Sequence, residues 1–532
     1  MIFNKLIIKN FKKFKYIEIP LNKDINIIVG NNESGKSTIL EAINLVTTAK
    51  LNGKSINTSL TSDIFNKDIV SKYLDDITNG NPTEIPEIEI ELYAEDIPEN
   101  SQYKGKNNIL VEDLPGISLS IVFNSQQYEE IYKKLVEEKK LTELPIEFYK
   151  VEWKSFKGDS LSSYNRVCSV STIDTSEHNY SSLIGSYIND DILSVLTEDE
   201  QKQLGIAYRI NKSKFSEEQS IENINKSLMN KKILKDRIVS LNLFDMGLNN
   251  WKKELCLSID NVPYTMSGKG TQNIVKINLA LNKLKEKSDI ILIEEPENHL
   301  SYSNMNLLID DISKYKDGKQ IFIVTHSNFI ANKIGLKELL LINDDKILKF
   351  NNLEESTVKY FMKLPGFDTL RLILSNNPIL VEGPSDELII QKAYLNKYGT
   401  LPINSGIDVI SIRGLSFLRF CELAEALKKK IKIVTDNDGD IEKNINEKYK
   451  DYLNSEYIKI YYNKNESENT LEPSFVNSNN FDTLKEVLNS SAKDSSEITK
   501  TMENDKTGWA LKVFDTDKEI KFPEYINECI KE

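Results

Sequence analysis

The stretch Ile25–Leu40, INIIVGNNESGKSTIL, constrains this chain more than any other. A short apolar run ends at Gly30, Gly30–Ser37 fits G-x-x-x-x-G-K-[ST], and a helical pattern follows. Strand, loop and helix in that order form a cradle for phosphate. Glycine lets the backbone wrap closely, so that its N–H groups and the positive helix start meet phosphate oxygens. The cradle residues are Gly30, Asn31, Asn32, Gly35, Lys36, Ser37 and Thr38. Lys36 would reach the β- and γ-phosphates, and the Ser37 hydroxyl would hold Mg²⁺. The expected ligand is therefore ATP with a divalent cation.

A second part of such a site lies far along the chain. Asp289–Leu300 reads DIILIEEPENHL, an apolar strand that ends in Glu294 and Glu295. Two adjacent carboxylates at a buried strand end are costly unless a cation compensates them. In a phosphate-loop fold the first, Glu294, binds Mg²⁺ and the second, Glu295, orients the attacking water. Ile321–Val324 is a further strand, and His326 at its end has either a structural role or, beside a γ-phosphate, the position to sense it through one hydrogen bond. His299 shapes the turn after the acids, and His178 has no evident partner.

At 532 residues two or three domains are expected. The pattern suggests an ATPase domain over 1–350, a linker helix over 351–377 and a second α/β domain over 378–532. Strand character is read in LIIKNFKKF, in IEIPLNKDINIIV with a break at a turn near Asn22–Lys23, and at Glu87–Tyr93, Ile117–Phe123 and Glu147–Phe156. Residues 180–245 carry helical periodicity in LMNKKILKDRIVSLNLF and form an inserted helical element, for dimerisation or as a spacer. A polar stretch, Asn343–Glu355, leads out of the first domain, and Pro365–Asn377 reads as the connecting helix.

Charge and cysteine usage narrow the class. The net charge of −13 argues against nucleic acid at first, but a phosphoryl-transfer site is itself built of carboxylates. Lys5, Lys9, Lys12, Lys13 and Lys15 offer a local basic surface or simply a solvated face. Cys168, Cys256, Cys421 and Cys529 are scattered without C-x-x-C spacing, as in reduced cytoplasmic proteins. No long apolar run suggests a membrane span.

The C-terminal third carries different chemistry. Strand PILVEG ends at Glu382 with Asp386 one helical turn on, and KIKIVTDNDGD ends in Asp436, Asp438 and Asp440. Glu472 is expected after a third strand, in Thr470–Leu471–Glu472. Parallel α/β sheets gather the carboxyl ends of their strands at one edge, so these acids should converge. Several ionised carboxylates share a small volume only if divalent cations, Mg²⁺ or Mn²⁺, neutralise them. A pair of such ions about 4 Å apart could clamp both oxygens of a phosphodiester displacement.

Several resemblances follow from these residues. Leu6-x-Ile8-x-Asn10-Phe11-x-x-Phe14 resembles the opening of ATPase heads in the structural-maintenance-of-chromosomes and recombination-mediator group. Met266–Gln272 (MSGKGTQ) resembles the signature loop of ABC-type ATPases, although Lys269 departs from the usual small residues. On that likeness Ser267 would face the γ-phosphate of a second protomer, making the protein a homodimer or higher oligomer, and His326 would be the switch histidine. Helix capping by Ser267 or Thr271 is the alternative. The C-terminal acids resemble a Toprim domain, and the whole chain resembles an OLD-family (overcoming lysogenization defect) nuclease.

That resemblance implies Glu382 as general base or first metal ligand, with Asp386, Asp436, Asp438 and Glu472 as further ligands and Asp440 a weaker one. It also implies a late lysine that stabilises transition-state charge, either Lys506 or Lys512. The fold class expected is α/β: an ABC/SMC-like P-loop ATPase with a helical insert, followed by a Toprim α/β domain. The function implied is an ATP-regulated, metal-dependent DNA endonuclease in bacterial anti-phage defence. Its partners would be DNA and a helicase, or a reverse transcriptase with its DNA–RNA product. The rival is an ATP-gated DNA-binding scaffold or repair ATPase whose Toprim domain does not cut.

Overall fold

A computed structural model gives the fold. It describes all residues except 52, 82, 139–140, 163, 175–195, 231–256, 273, 276–288, 299, 315–317, 344–345, 351–352, 364–368, 413–415, 506 and 532. The described chain forms two compact units: Met1–Ile28 with Gly35–Thr325, and Val29–Ser34 with His326–Glu532.

In the first unit the opening residues form β1 (Phe3–Phe11) and β2 (Phe14–Pro20), and β3 (Ile25–Gly30) follows. The sequence suggested two strands here. The chain instead turns at Lys12, whose φ of 48° is left-handed, and pairs β1 with β2 antiparallel. The break expected near Asn22–Lys23 does precede β3, and there buried Asn26 accepts from Asn22 N–H at 2.6 Å and donates back to its carbonyl at 3.0 Å. Helix α1 (Lys36–Thr48) then begins.

Next come β4 (Ile88–Ala94), β5 (Leu114–Phe123) and β6 (Tyr149–Ser155), which extend the β1–β2 hairpin into an antiparallel sheet. Its inner face carries Leu6, Ile8, Ile90, Leu92 and Leu119, all fully buried. After β7 (Val170–Asp174) come helices α2 (Glu198–Glu217) and α3 (Gln219–Asn230). Thr197 caps α2 and exchanges hydrogen bonds with Glu200, a capping box that explains where the helix starts. The rest of the expected insert, including most of LMNKKILKDRIVSLNLF, lies outside the described residues.

Strands β8 (Ile290–Glu294) and β9 (Gln320–Val324), with α4 (Tyr302–Lys314) between them, complete the unit. The order β7–β8–β9–β3 is parallel throughout. Such strands are covered on both faces, which is why they read as continuous apolar runs. Gln320 is fully buried. It accepts from Phe3 N–H at 3.1 Å and donates to the carbonyls of Phe3 (2.6 Å) and Asn22 (2.8 Å), tying the chain's start to β9.

Glu91 in β4 is a carboxyl with no exposure, holding Ile109 N–H at 2.9 Å and the Tyr93 hydroxyl at 2.5 Å. Burial pushes its pKa up from 4.5 to about 7, against those hydrogen bonds. A folded pKa above the unfolded one gives stability that is complete below about pH 4.5 and lost as pH rises to about 7. The loss is at most about 3 kcal/mol. Glu91→Gln removes the charge at similar shape, so its melting temperature should exceed wild type at pH 8 by clearly more than at pH 5. Parallel shifts at both pH values in thermal unfolding would remove Glu91 as the titrating group.

The second unit opens with α5 (Asn328–Ile334), capped by Ser327, and a hairpin of β10 (Leu339–Asn343) and β11 (Lys346–Lys349). The stretch read as a polar exit thus contains a strand, Lys-Ile-Leu-Lys, too short to show alternation. Among the described residues of the expected connecting helix, Thr369–Leu374 form α7, and α6 (Glu355–Lys363) lies ahead of it.

Then comes a four-stranded parallel sheet of β12 (Asn377–Val381), β13 (Ile407–Ser411), β14 (Ile431–Val434) and β15 (Ile458–Tyr461), ordered β13–β12–β14–β15. Helices α8 (Pro384–Tyr398), α9 (Phe417–Ala426) and α10 (Leu471–Ser478) flank it. Its core includes Ile379, Val381, Ile389, Tyr394, Phe475 and Trp509. Arg371 on α7 forks onto Asp408 of β13 at 2.6 and 2.9 Å and reaches the Val409 carbonyl at 3.1 Å, so the connecting segment is clamped to the sheet edge.

Candidate functional site

In the first unit, Gly35 caps α1 with φ of 97°, a conformation that disfavours any side chain. A Cβ there would fall 2.4 Å from the Phe14 ring, so close approach and backbone angle both demand glycine. Lys36 starts the helix and is nearly buried. Burial lowers its pKa, while Glu295 and Glu294 pull the other way. The Ser37 hydroxyl donates to the Glu294 carboxylate, so the two residues expected at Mg²⁺ meet although 257 positions separate them. Thr38 follows in the same turn and is half-buried.

Glu294 ends β8, and Glu295 turns out of the strand with φ of 46°. The Glu295 N–H donates to Val324 at 2.8 Å, and its carboxylate accepts from Asn298 at 2.9 Å. Its orientation is therefore set by the neighbouring strand and by its own turn. Thr325 holds Glu297 at 2.8 Å, a contact that sequence reading passed over. Ser267 follows a short turn, Tyr264–Met266, and its hydroxyl donates to Pro263 at 3.4 Å. Gln272 donates to the Ser267 carbonyl at 2.8 Å and so shapes this loop. His299 and His178 lie outside the described residues.

In the second unit, Gly30 packs where a Cβ would meet Ser34 Oγ at 2.5 Å, and Ser34 N–H donates to Asn31 at 3.1 Å. Asn31 and Asn32 are exposed, as is His326 just ahead of the α5 cap. Lys12 pairs with Glu41, Lys15 with Asp68 at 2.8 Å, and Lys5 lies 5.5 Å over the Tyr93 ring.

The C-terminal acids stand at the point where strand order reverses. The chain passes from β12 to β13 on one side, then crosses to β14 on the other, so a crevice opens between β12 and β14. Glu382 follows β12 and Asp436 follows β14. Glu382 Oε1 accepts the Asp436 N–H at 3.1 Å and the Thr435 hydroxyl at 2.7 Å. Asp386 sits in the first turn of α8 and takes the Gly383 N–H at 3.1 Å, which starts the helix as a cap would.

Asp438 lies in the left-handed region with φ of 51°, followed by Gly439 at 78°. The residue between the two aspartates explains the loop. Asn437 is 1% exposed, donates to the carbonyls of Asn463 (2.7 Å) and Asn465 (3.1 Å), and accepts Gly439 N–H at 2.8 Å. It pins the turn while Asp436 and Asp438 remain outside it. Asn437 and Thr435 were missed because an amide or hydroxyl inside an acidic run carries no motif of its own.

Glu472 corrects the sequence reading. It is in the first turn of α10, after Thr470, and accepts the Thr470 hydroxyl at 3.0 Å. No strand precedes it directly; an acid in a first helical turn is favoured by the helix dipole. Asp440 is exposed and accepts Lys443 N–H at 2.9 Å, a local turn. Lys512 donates to the Leu488 carbonyl at 3.1 Å, and Lys506 lies outside the described residues.

Electrostatics show how tightly the acids gather. Burial, then Glu382, pushes Asp386 up to about 7. Burial, then Asp386, Glu382, Glu472 and Asp438, pushes Asp436 up to about 9. The charges that raise both aspartates are thus other carboxylates, which a cation would offset. Among the described residues no three of His, Cys, Asp and Glu form a closed ligand set. The donors fit a hard divalent cation by chemistry.

Comparison with known proteins adds the following. The AAA ATPase domain family model matches residues 1–331, more than half of the chain. The model for the TOPRIM domain of overcoming-lysogenization-defect-like proteins matches residues 373–438. An ATP/GTP phosphatase of Helicobacter pylori is 23% identical over 341 residues, covering 60% of this chain and 84% of that protein. The DNA replication and repair protein RecF of Clostridium kluyveri is 30% identical over 189 residues, 35% of this chain and 47% of RecF. That match spans about half of the relative's length. Among solved structures, the SMC head domain from Thermotoga maritima has a TM-score of 0.32 at 14% identity, covering 66% of this chain and all of that one. The recombination mediator RecF with ATP has a TM-score of 0.31 at 13% identity, covering 65% and 99%. Among the described residues no helix is long and apolar enough to cross a membrane.

Proposed function

This chain belongs to the AAA ATPase domain family and carries an OLD-like TOPRIM domain behind it, the architecture of an OLD-family nuclease, and from that premise we propose an ATP-regulated, metal-dependent DNA endonuclease. The observation that carries the proposal is the meeting of Glu382 and Asp436 on neighbouring strand ends, with Asp386, Asp438 and Glu472 close enough to raise the Asp436 pKa. Glu382, Asp386, Asp436, Asp438 and Glu472 would hold Mg²⁺ or Mn²⁺. The bound cation would neutralise the cluster and polarise a phosphodiester toward water attack. Glu382 then accepts the proton of the attacking water or serves as first ligand. Lys512 is engaged with the Leu488 carbonyl, so Lys506 is the lysine proposed to meet transition-state charge.

At the nucleotide, Gly30, Asn31, Asn32, Gly35, Lys36 and Thr38 cradle the phosphates, while Ser37 and Glu294 hold the cation. Glu295 orients water, His326 senses the γ-phosphate, and Ser267 serves a second protomer in a homodimer. The biological setting proposed is bacterial anti-phage defence in the cytoplasm. Supercoiled plasmid incubated with the protein and Mg²⁺ or Mn²⁺, with and without ATP, should convert to open-circular or linear form. Intact plasmid under every metal and nucleotide condition would favour the scaffold reading instead.

A further inference from the structure

We propose that Thr435 is a positioning residue that locks the Glu382 carboxylate, leaving one oxygen free to face the divalent cation. The inference rests on the metal-site reading above and adds a residue to it.

Geometry carries the argument. Thr435 is the first residue past β14, and Val381, just before Glu382, pairs in register with Val434, just before Thr435. The Glu382 side chain therefore leans across to the neighbouring strand end rather than straight out of the sheet. There its Oε1 takes two donors, the Thr435 hydroxyl at 2.7 Å and the Asp436 N–H at 3.1 Å. Thr435 itself cannot move easily. It is 4% exposed, and its N–H donates to the Tyr461 carbonyl of β15 at 3.1 Å. The fully buried ring of Tyr449 belongs to the same neighbourhood as Thr435 and Glu382.

A carboxylate turns readily about its last torsion, which is broad and two-fold. With one oxygen committed to two donors from a single strand end, that rotation stops. The second oxygen then points in a fixed direction and presents one lone-pair set to an incoming ion. The backbone N–H of Asp436 alone is one longer bond and leaves the rotation possible. The hydroxyl therefore decides the orientation. Hydrogen-bond partners of this kind typically set metal affinity by about 10- to 100-fold.

The test separates the hydroxyl from the shape and metal binding from cutting. Mn²⁺ binding to the full-length protein is followed by electron paramagnetic resonance for wild type, Thr435→Val, Thr435→Ser and Glu382→Gln, with plasmid nicking measured alongside. Thr435→Val should weaken Mn²⁺ binding about 10- to 100-fold and raise the Mn²⁺ concentration for half-maximal nicking by the same factor. Thr435→Ser, which restores the hydroxyl, should return both toward wild type. ATP hydrolysis and thermal unfolding report that each variant is folded. Wild-type Mn²⁺ affinity in Thr435→Val, while Glu382→Gln binds weakly, would overturn the positioning role and leave the metal site standing. Equal loss in the valine and serine variants would assign the effect to packing and also overturn it. No Mn²⁺ bound by wild type would end both readings together.

Discussion

Supercoiled plasmid stays supercoiled when Glu382→Ala replaces the wild-type protein, while ATP is hydrolysed at the wild-type rate. That is the largest effect expected. Glu382 is held by hydrogen bonds from the adjacent strand end, so its loss removes a ligand or base and frees the Thr435 and Asp436 donors together. A positioned general acid or base contributes about 10²–10⁴-fold. Nicking should fall by at least that range, and excess Mn²⁺ should not restore it. The measurement is the initial rate of open-circle formation on an agarose gel, with phosphate release measured in parallel. Nicking within a few-fold of wild type would place the scissile chemistry elsewhere. A parallel collapse of ATP hydrolysis would mean that the substitution had unfolded the protein.

The second large effect concerns Lys36. It is nearly buried at the start of α1, and its charge is supported there by Glu295 and Glu294. An alanine at this position removes a charge-assisted hydrogen bond to triphosphate, worth about 1.5–3 kcal/mol, so ATP binding should weaken about 10- to 100-fold. Turnover should fall further, by about 10²–10³-fold, because the lost donor acts where charge develops. The same variant should still nick DNA, since the acids of the TOPRIM site are untouched, but its nicking should no longer respond to ATP. Fluorescent nucleotide titration and nicking with and without ATP check both halves. Identical ATP response in Lys36→Ala and wild type would remove the proposed regulation.

Much of this was legible because the decisive patterns are local. Gly35 and Lys36 announce themselves through a loop that only glycine can make, and β8 and β9 through unbroken apolar runs suited to a buried parallel sheet. Glu382 and Asp436 were read at strand ends from β12 and β14 in the same way. Glu472 was misread because Thr-Leu-Glu fits a strand end as well as a helix start, and only packing distinguishes them. The β10–β11 hairpin was missed for a related reason, since four residues are too few to establish a period. Asn437 and Thr435 lie in plain view, but their roles are hydrogen bonds to Asn463, Asn465 and Glu382, contacts between residues far apart in the chain.

The sequence alone determined that phosphate-loop chemistry opens the chain and that strand-end acids populate its last third, because turn, strand and helix starts are written in neighbouring residues. Tertiary structure alone decided which acids meet. Strand order placed β12 beside β14, so Glu382 lies against Asp436 and Thr435, whereas Asp440 was drawn into a local turn and Lys512 onto the Leu488 carbonyl. Strand order follows from how a whole sheet buries its faces, and no short stretch of chain encodes that.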